Sequence, residues 1–346
     1  MICKKVKSKR QIKEFINFPN MLYKRNENTR DKKTETQILK GRHILSKYFK
    51  VIGLLVYNDK DRVVGRCIVT IYENDDKAYF GFFDSINNKQ VVERLMEKAE
   101  EIANESGKNE LVGPLDSSFW IGYRLKIDDR KEIYTCEPYN KSYYLKRLKE
   151  VGFHVCERYI SNKYRVPTEK DINLKYNKRL EKMIEDGYVV VIPCFWYFNR
   201  QLRDIYGLLT KLYSSFPCYK SIEENEFYSM FKGLRYILKY DMVKLVYKDG
   251  ELKGFMVNIP NYGYKIRLRD IIKRDFKEYV LLYMGVDRDS LGVGSALAEI
   301  TKRELCKRGC KSIGALIHEG KVSGSFYKEL IEYRYEYVLL NKKIES

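Results

Sequence analysis

Residues 284–300, MGVDRDSLGVGSALAEI, decide how the second half of this chain is read. Two glycines, Gly292 and Gly294, stand one residue apart between an apolar run and a pattern with helical spacing. The run 279–286 reads as a strand and 294–308 as a helix, so the glycines lie in a strand-to-helix turn. Such a turn leaves the first N–H groups of the helix without partners, and the helix dipole adds partial positive charge there. Diphosphate binds well at such a place. A tight turn built from small residues carries the same pattern, and the glycines alone do not separate the two.

Outward from this point the elements fall into order. Upstream, 201–215 and 223–239 read as helices, and 242–247 with 252–257 as a hairpin around Lys-Asp-Gly-Glu. Downstream, 312–317 reads as a strand, 323–333 as a helix and 335–340 as the last strand. The first half shows the same sequence of elements. Residues 49–57 and 63–72 form a hairpin pattern, 78–83 a strand, and 89–105 a helix with apolar residues at 91, 92, 95, 99 and 102. A short strand opens at Leu111, and 143–151 is a helix ending at Gly152. A duplicated α/β module is the economical inference. The modules are placed at 1–170 and 185–346, with the boundary in the charged segment 167–187 after Pro167.

The composition bounds the class. The 346 residues carry 44% hydrophobic and 14% aromatic residues, enough for real cores, which excludes a disordered chain. The longest apolar run, 189–198, is broken by Pro193 and is far short of the roughly 20 residues of a membrane span. The basic N-terminus, MICKKVKSKRQIKEF, is not followed by an apolar stretch, so a cytoplasmic protein is expected. Eight cysteines without a C-x-x-C pair read as reduced, buried thiols, and with three histidines no zinc quartet is expected. The net charge of +19 suits a polyanion such as RNA, but the basic residues are spread along the chain rather than blocked.

The turn at 289–294, DSLGVG, resembles the R/Q-x-x-G-x-G/A signature of the GNAT superfamily of N-acyltransferases. Asp289 stands where that family has Arg or Gln. The resemblance implies an α/β (α+β) fold of two GNAT-like modules, each a mixed, mostly antiparallel sheet flanked by helices. It implies that Val286 and the backbone of Leu291, Gly292, Val293, Gly294, Ser295 and Ala296 hold the diphosphate of acetyl-CoA or another acyl-CoA. The segment 326–330, FYKEL, is similar to the family's final-helix motif, which makes Tyr327 the acid that protonates the leaving thiolate. His318 and Glu319, after the strand 312–317, are candidates to take the proton of the attacking amine. A backbone N–H on the strand ending at Val286 would meet the oxyanion, with Tyr283 facing the same cleft.

In the first half the equivalent loop is Ser85-Ile-Asn-Asn-Lys-Gln90, without glycine, and aligning its Gly152-Phe153 on the family motif puts Leu148 at the tyrosine position. That module is expected not to bind donor. Its GFFD at 81–84 and GPLDSS at 113–118 look like a group of tandem GNAT proteins, and Asp116, Ser117 and Trp120 are candidates to line an acceptor pocket. Three functions stay open: an acyl-CoA-dependent N-acyltransferase acting on a small-molecule or peptide amine; a Fem-type transferase using aminoacyl-tRNA, with basic stretches such as 265–274 touching RNA; and a non-catalytic GNAT-fold binding protein. No metal and no membrane partner are expected.

Overall fold

Near-continuous apolar runs in the first half build strands buried on both faces, and helical spacing covers them. The computed structural model describes residues 1–130, 132–172, 174–273, 275–320, 324 and 326–344. Met1–Arg158 with Glu336–Ser346 makes one compact unit, and Tyr159–Tyr335 the other.

The first unit begins with β1 (Ile2–Lys5) and three short helices, α1 (Lys9–Asn17), α2 (Pro19–Leu22) and α3 (Lys32–Leu39). Then come β2 (Lys50–Tyr57), β3 (Val63–Ile71), β4 (Lys77–Ser85), α4 (Lys89–Glu105), β5 (Glu110–Gly113), β6 (Leu125–Lys126), α5 (Tyr143–Lys149) and the start of β7 (His154–Tyr164). Strands β1 to β4 pair antiparallel in chain order, whereas β4 and β5 run parallel from Lys77–Glu110 to Tyr79–Val112. Helix α4 turns Val91, Val92, Leu95, Met96, Ala99 and Ile102 onto this sheet. Burying each of the Val, Leu, Met and Ile side chains among them stabilises the unit by about 1.5–3 kcal/mol.

The second unit takes the rest of β7, α6 (Leu174–Glu185), β8 (Val189–Val191), α7 (Phe198–Tyr213), α8 (Glu224–Phe231), β9 (Val243–Lys248), β10 (Glu251–Pro260) and α9 (Leu268–Ile271). It continues with β11 (Glu278–Val286), α10 (Val293–Arg308), β12 (Lys311–His318) and the start of β13 (Ile331–Lys343). Its sheet runs β8-β9-β10-β11-β12-β7. Two glycines let helices approach this sheet. A Cβ at Gly254 would lie 2.7 Å from Val293 of α10, and one at Gly285 would lie 2.8 Å from Leu212 of α7. Because Gly254 opposes Val286 while Gly285 opposes Phe255, the two helices cover opposite faces.

Several expectations change here. The chain passes between units at 158/159, inside β7, and the segment 167–187 lies within the second unit, carrying α6. The last strand returns to the first unit, where Leu340 to Lys343 pair with Gly113 to Glu110. The helix expected over 323–333 is not there among the described residues. Lys328–Leu330 is one 3-10 turn and β13 starts at Ile331, because Tyr333, Tyr335 and Tyr337 alternate with charged residues at the strand period. Residues 321–323 and 325 lie outside the described residues. Of 265–274 only Leu268–Ile271 is helical, and Arg274 is outside the described residues. All eight cysteines are free, but Cys136, Cys156 and Cys194 are exposed rather than buried. Among the described residues no helix is long and apolar enough to cross a membrane.

Candidate functional site: a splayed strand pair and an open helix start

In the second unit the parallel ladder between β11 and β12 runs from Glu278–Lys311 to Leu281–Gly314 and stops. Beyond it each strand follows its other neighbour. Strand β11 stays with β10 as far as Val286–Gly254, and β12 goes with β7 to His318–Tyr159. Both strands are bulged at this level. On β11, Leu282 is the extra residue between the pairs Val257–Tyr283 and Asn258–Leu281. On β12, Ala315 and Leu316 face the single Ser161, with Leu316 at φ 55 and its N–H bonded to Ser161 Oγ at 2.8 Å. Bulges of this kind end a pairing and re-aim the strand. The result is a wedge that opens toward the C-terminal ends of β11 and β12.

From the mouth of that wedge residues 287–292 lead into α10. Gly292 is its N-cap at φ 90, a left-handed conformation that favours glycine, and no side chain caps the helix. The Val293 N–H makes only a 3.4 Å bond, to the Ser290 carbonyl. The donors of the first turn thus stay available to a ligand. Val293 and Ala296 themselves are buried, packing with Met183 and Met256, and Gly294 and Ser295 between them are partly exposed. A Cβ at Gly294 would come within 3.3 Å of Met284 and 3.5 Å of Val286.

The loop's charges are arranged around this opening. Buried Asp287 accepts from Lys211 at 2.9 Å, and that bond holds its carboxyl below the usual range. Asp289, which stands where the family motif has Arg or Gln, is exposed. Arg179 of α6, which sequence reasoning passed over as part of a charged linker, donates to Ser295 Oγ at 3.4 Å and so stands beside the helix start. Ser290 is buried, with Tyr188 donating to its hydroxyl at 3.4 Å.

The same places in the first unit are filled by the protein itself. There the ladder β4–β5 ends at Tyr79–Val112, and Phe82 and Phe83 bulge opposite Cys67. Into that wedge goes the chain after β5. Leu115 donates its N–H to the Phe80 carbonyl at 2.7 Å, and Asp116 Oδ1 accepts the Phe82 N–H at 2.6 Å. The backbone of Leu115 lies so close that a Cβ at Gly81 would be 2.0 Å from its oxygen. Only residues 86–88 link β4 to α4, and Asn88 caps the Gln90 N–H at 2.8 Å.

The structure distributes the remaining expected residues as follows. Tyr327 is buried at φ 56, and its hydroxyl donates to the Ala298 carbonyl of α10; burial pushes it well above the usual tyrosine range. His318 ends β12 half-buried, its ring 5.0 Å from that of Tyr159, and Glu319 beyond it is exposed. Tyr283 is half-buried on β11 opposite Val257. Asp116, Ser117 and Trp120 lie in the first unit. Ser117 is buried with its carbonyl accepting from Tyr72 at 2.9 Å, and Trp120 packs 5.4 Å from the Phe119 ring. Among the described residues no group of three or more His, Cys, Asp and Glu side chains is placed to hold a metal ion.

A mixed sheet whose parallel pair splays beside a strand-to-helix turn, built twice along one chain, is the tandem GNAT fold. Solved structures agree over the whole length. A tandem GNAT protein from the clavulanic acid biosynthesis pathway matches with TM-score 0.54 at 10% identity, over 100% of this chain and 99% of that one. A GCN5-related N-acetyltransferase from Sphaerobacter thermophilus matches with TM-score 0.51 at 10% identity, over 100% and 96%. The glucosamine N-acetyltransferase region of a fungal multi-domain beta-N-acetylglucosaminidase gives TM-score 0.55 at 15% identity, over 99% of this chain and 38% of that one. No family model and no curated protein matches the sequence.

Proposed function

We propose that the second unit transfers an acyl group, acetyl in the first instance, from acyl-CoA to the amine of a small molecule or peptide. The observation that carries this reading is the contrast between the two units. Leu115, Asp116 and Asn88 close wedge and helix start in the first, whereas in the second the β11–β12 ladder ends at Leu281–Gly314 and, among the described residues, no side chain caps α10. A diphosphate at the turn 291–296 would take the free N–H donors of α10, with Arg179 adding a cation in place of the missing motif Arg. The donor's amide-bearing arm would run along residues 282–286 of β11, whose edge the wedge frees. A β11 N–H there meets the oxyanion as the neutral amine adds to the thioester carbonyl, and His318 or Glu319 at the end of β12 takes the amine's proton.

Calorimetric titration with acetyl-CoA tests this. One donor per chain is expected, with binding lost when Gly292 is replaced by Pro, which cannot adopt a positive φ. No heat at millimolar donor would leave the fold as a binding scaffold.

A further inference from the structure

We propose that Tyr164 of β7 is the catalytic acid of this transfer, the group that protonates the departing sulfur, and that Asn162 positions it. The inference rests on the acyl-CoA reading above. One row of residues crosses the second unit's sheet on the face that α10 covers: Asn258, Leu281, Gly314 and Asn162 are successive partners on β10, β11, β12 and β7. Leu281–Gly314 is the last rung of the parallel ladder, so this row marks the apex of the wedge. Tyr164 lies two residues from Asn162 on the same face. Its hydroxyl reaches over Gly314, where a Cβ would be 2.9 Å from the oxygen, and therefore reaches toward the apex.

The hydrogen bonding leaves this hydroxyl able to donate. Asn162 Nδ2 donates to Tyr164 Oη at 3.3 Å, and among the described residues the Tyr164 proton has no acceptor. Asn162 is completely buried and its Oδ1 has no partner among the described residues. Such orphaned polar groups are rare in cores, and each calls for a ligand, a water or a functional reason. Burial pushes the Tyr164 hydroxyl up to about 12, which keeps it protonated at neutral pH. Tyr327, whose ring meets Tyr164 edge-on at 5.3 Å, has spent its proton on the Ala298 carbonyl. Beside it on α10, Glu299 is paired with Lys302 at 3.0 Å and with Arg303 at 3.5 Å.

The step balances. Nitrogen bonds to the thioester carbon, the carbon–sulfur bond breaks, and the sulfur's electron pair takes the Tyr164 proton. The amine proton leaves to solvent through the basic group at the end of β12, and solvent returns one to the phenolate. The products are an amide and a free thiol.

The test needs no acceptor substrate. Coenzyme A is bound to the protein and its thiol is titrated by the ultraviolet absorbance of the thiolate. In the unmodified protein the bound thiol is expected to ionise about one unit or more below the same thiol bound to Tyr164→Phe, because a donor aimed at sulfur favours the thiolate. Tyr327→Phe is expected to leave the thiol unchanged and to lower the melting temperature. Asn162→Leu removes an orphaned polar group, so it should keep or raise the melting temperature while losing part of the shift; it also decides the matter if Tyr164→Phe does not fold. An unshifted thiol in Tyr164→Phe or Asn162→Leu, or a shift lost in Tyr327→Phe alone, overturns the assignment of Tyr164. Absence of coenzyme A binding by the unmodified protein removes the acyl-CoA reading itself, and this assignment with it.

Discussion

Asp116 Oδ1 accepts the backbone N–H of Phe82 at 2.6 Å, and this bond closes the first unit's wedge. The carboxyl satisfies a bulge donor that would otherwise face the gap between β4 and β5. Burial raises it from 3.8 to about 6, against the help of the Phe82 N–H. The folded state therefore holds the proton more tightly than the unfolded chain, and stability falls as pH rises from about 4 through about 6. Asp116→Asn keeps an acceptor and removes this dependence. It is expected to be more stable than the unmodified protein at pH 8 by of order 1–2 kcal/mol and to show a flatter profile below neutrality. Urea denaturation across that range reads the difference, and parallel profiles would contradict it. Asp116→Ala should instead lose about 1–3 kcal/mol by orphaning the Phe82 N–H.

Arg66 is the largest fully buried side chain of the first unit, and its guanidinium is held between Glu35 at 2.6 Å and Asp84 at 2.7 Å. Burial would raise Asp84, but Arg30 and Arg66 outweigh it and hold the carboxyl below its usual range. Tyr23 and Tyr144 also donate to Asp84, at 2.8 and 3.2 Å. The GFFD tetrapeptide thus ends in a structural anion. Arg66→Met leaves two buried carboxylates short of a partner and should cost about 3–5 kcal/mol, whereas Arg66→Met combined with Glu35→Gln should cost less than the sum of the two single changes.

The donor site makes a paired prediction. Gly292→Ala meets no neighbour, since nothing lies within 4 Å of its Cβ position, yet φ 90 strains any side chain. A loss of about 1–2 kcal/mol in stability is expected, together with weaker acetyl-CoA binding. Arg179→Ala is exposed and should leave stability within about 0.5 kcal/mol while weakening acetyl-CoA severalfold. Acetyl-pantetheine, which lacks the diphosphate, should bind the Arg179→Ala protein and the unmodified protein alike; a parallel loss for both ligands would show that Arg179 does not meet phosphate.

Much of the fold was legible because it is periodic. Helix α4 starts and ends at Lys89 and Glu105, where apolar spacing puts it, and the strand, turn and helix around Gly292 follow the same logic. The end of the chain was not legible, because FYKEL matches a helical motif while Tyr327 sits at φ 56 and the tyrosines after it alternate. Nor was β7, whose alternation in HVCERYISNKY follows a helix and a Gly-Phe turn that draw the eye first. Tyr164 is one of 30 tyrosines and Arg179 one of 66 basic residues, and neither position shows a local pattern. Their significance depends on which strand lies beside β12 and which helix lies beside α10, and both are tertiary facts.

Asp287 ties the donor loop to α7, and its pH dependence runs opposite to that of Asp116. The Lys211 bond at 2.9 Å, with Lys253 at 3.8 Å, lowers its carboxyl in the folded state. The stabilisation is therefore complete above the carboxylate's unfolded value of about 4 and is lost as pH falls below it. Lys211 is 60% exposed, which screens the pair and limits its worth to about 1 kcal/mol. Asp287→Asn should be less stable by about that amount at pH 7, and the gap should narrow as pH falls below about 4. Its loop should also hold the Gly292 turn less firmly, so acetyl-CoA affinity is expected to fall with the stability. A stability gap that persists unchanged in acid would show that Asp287 acts through packing or its backbone neighbours rather than through its charge.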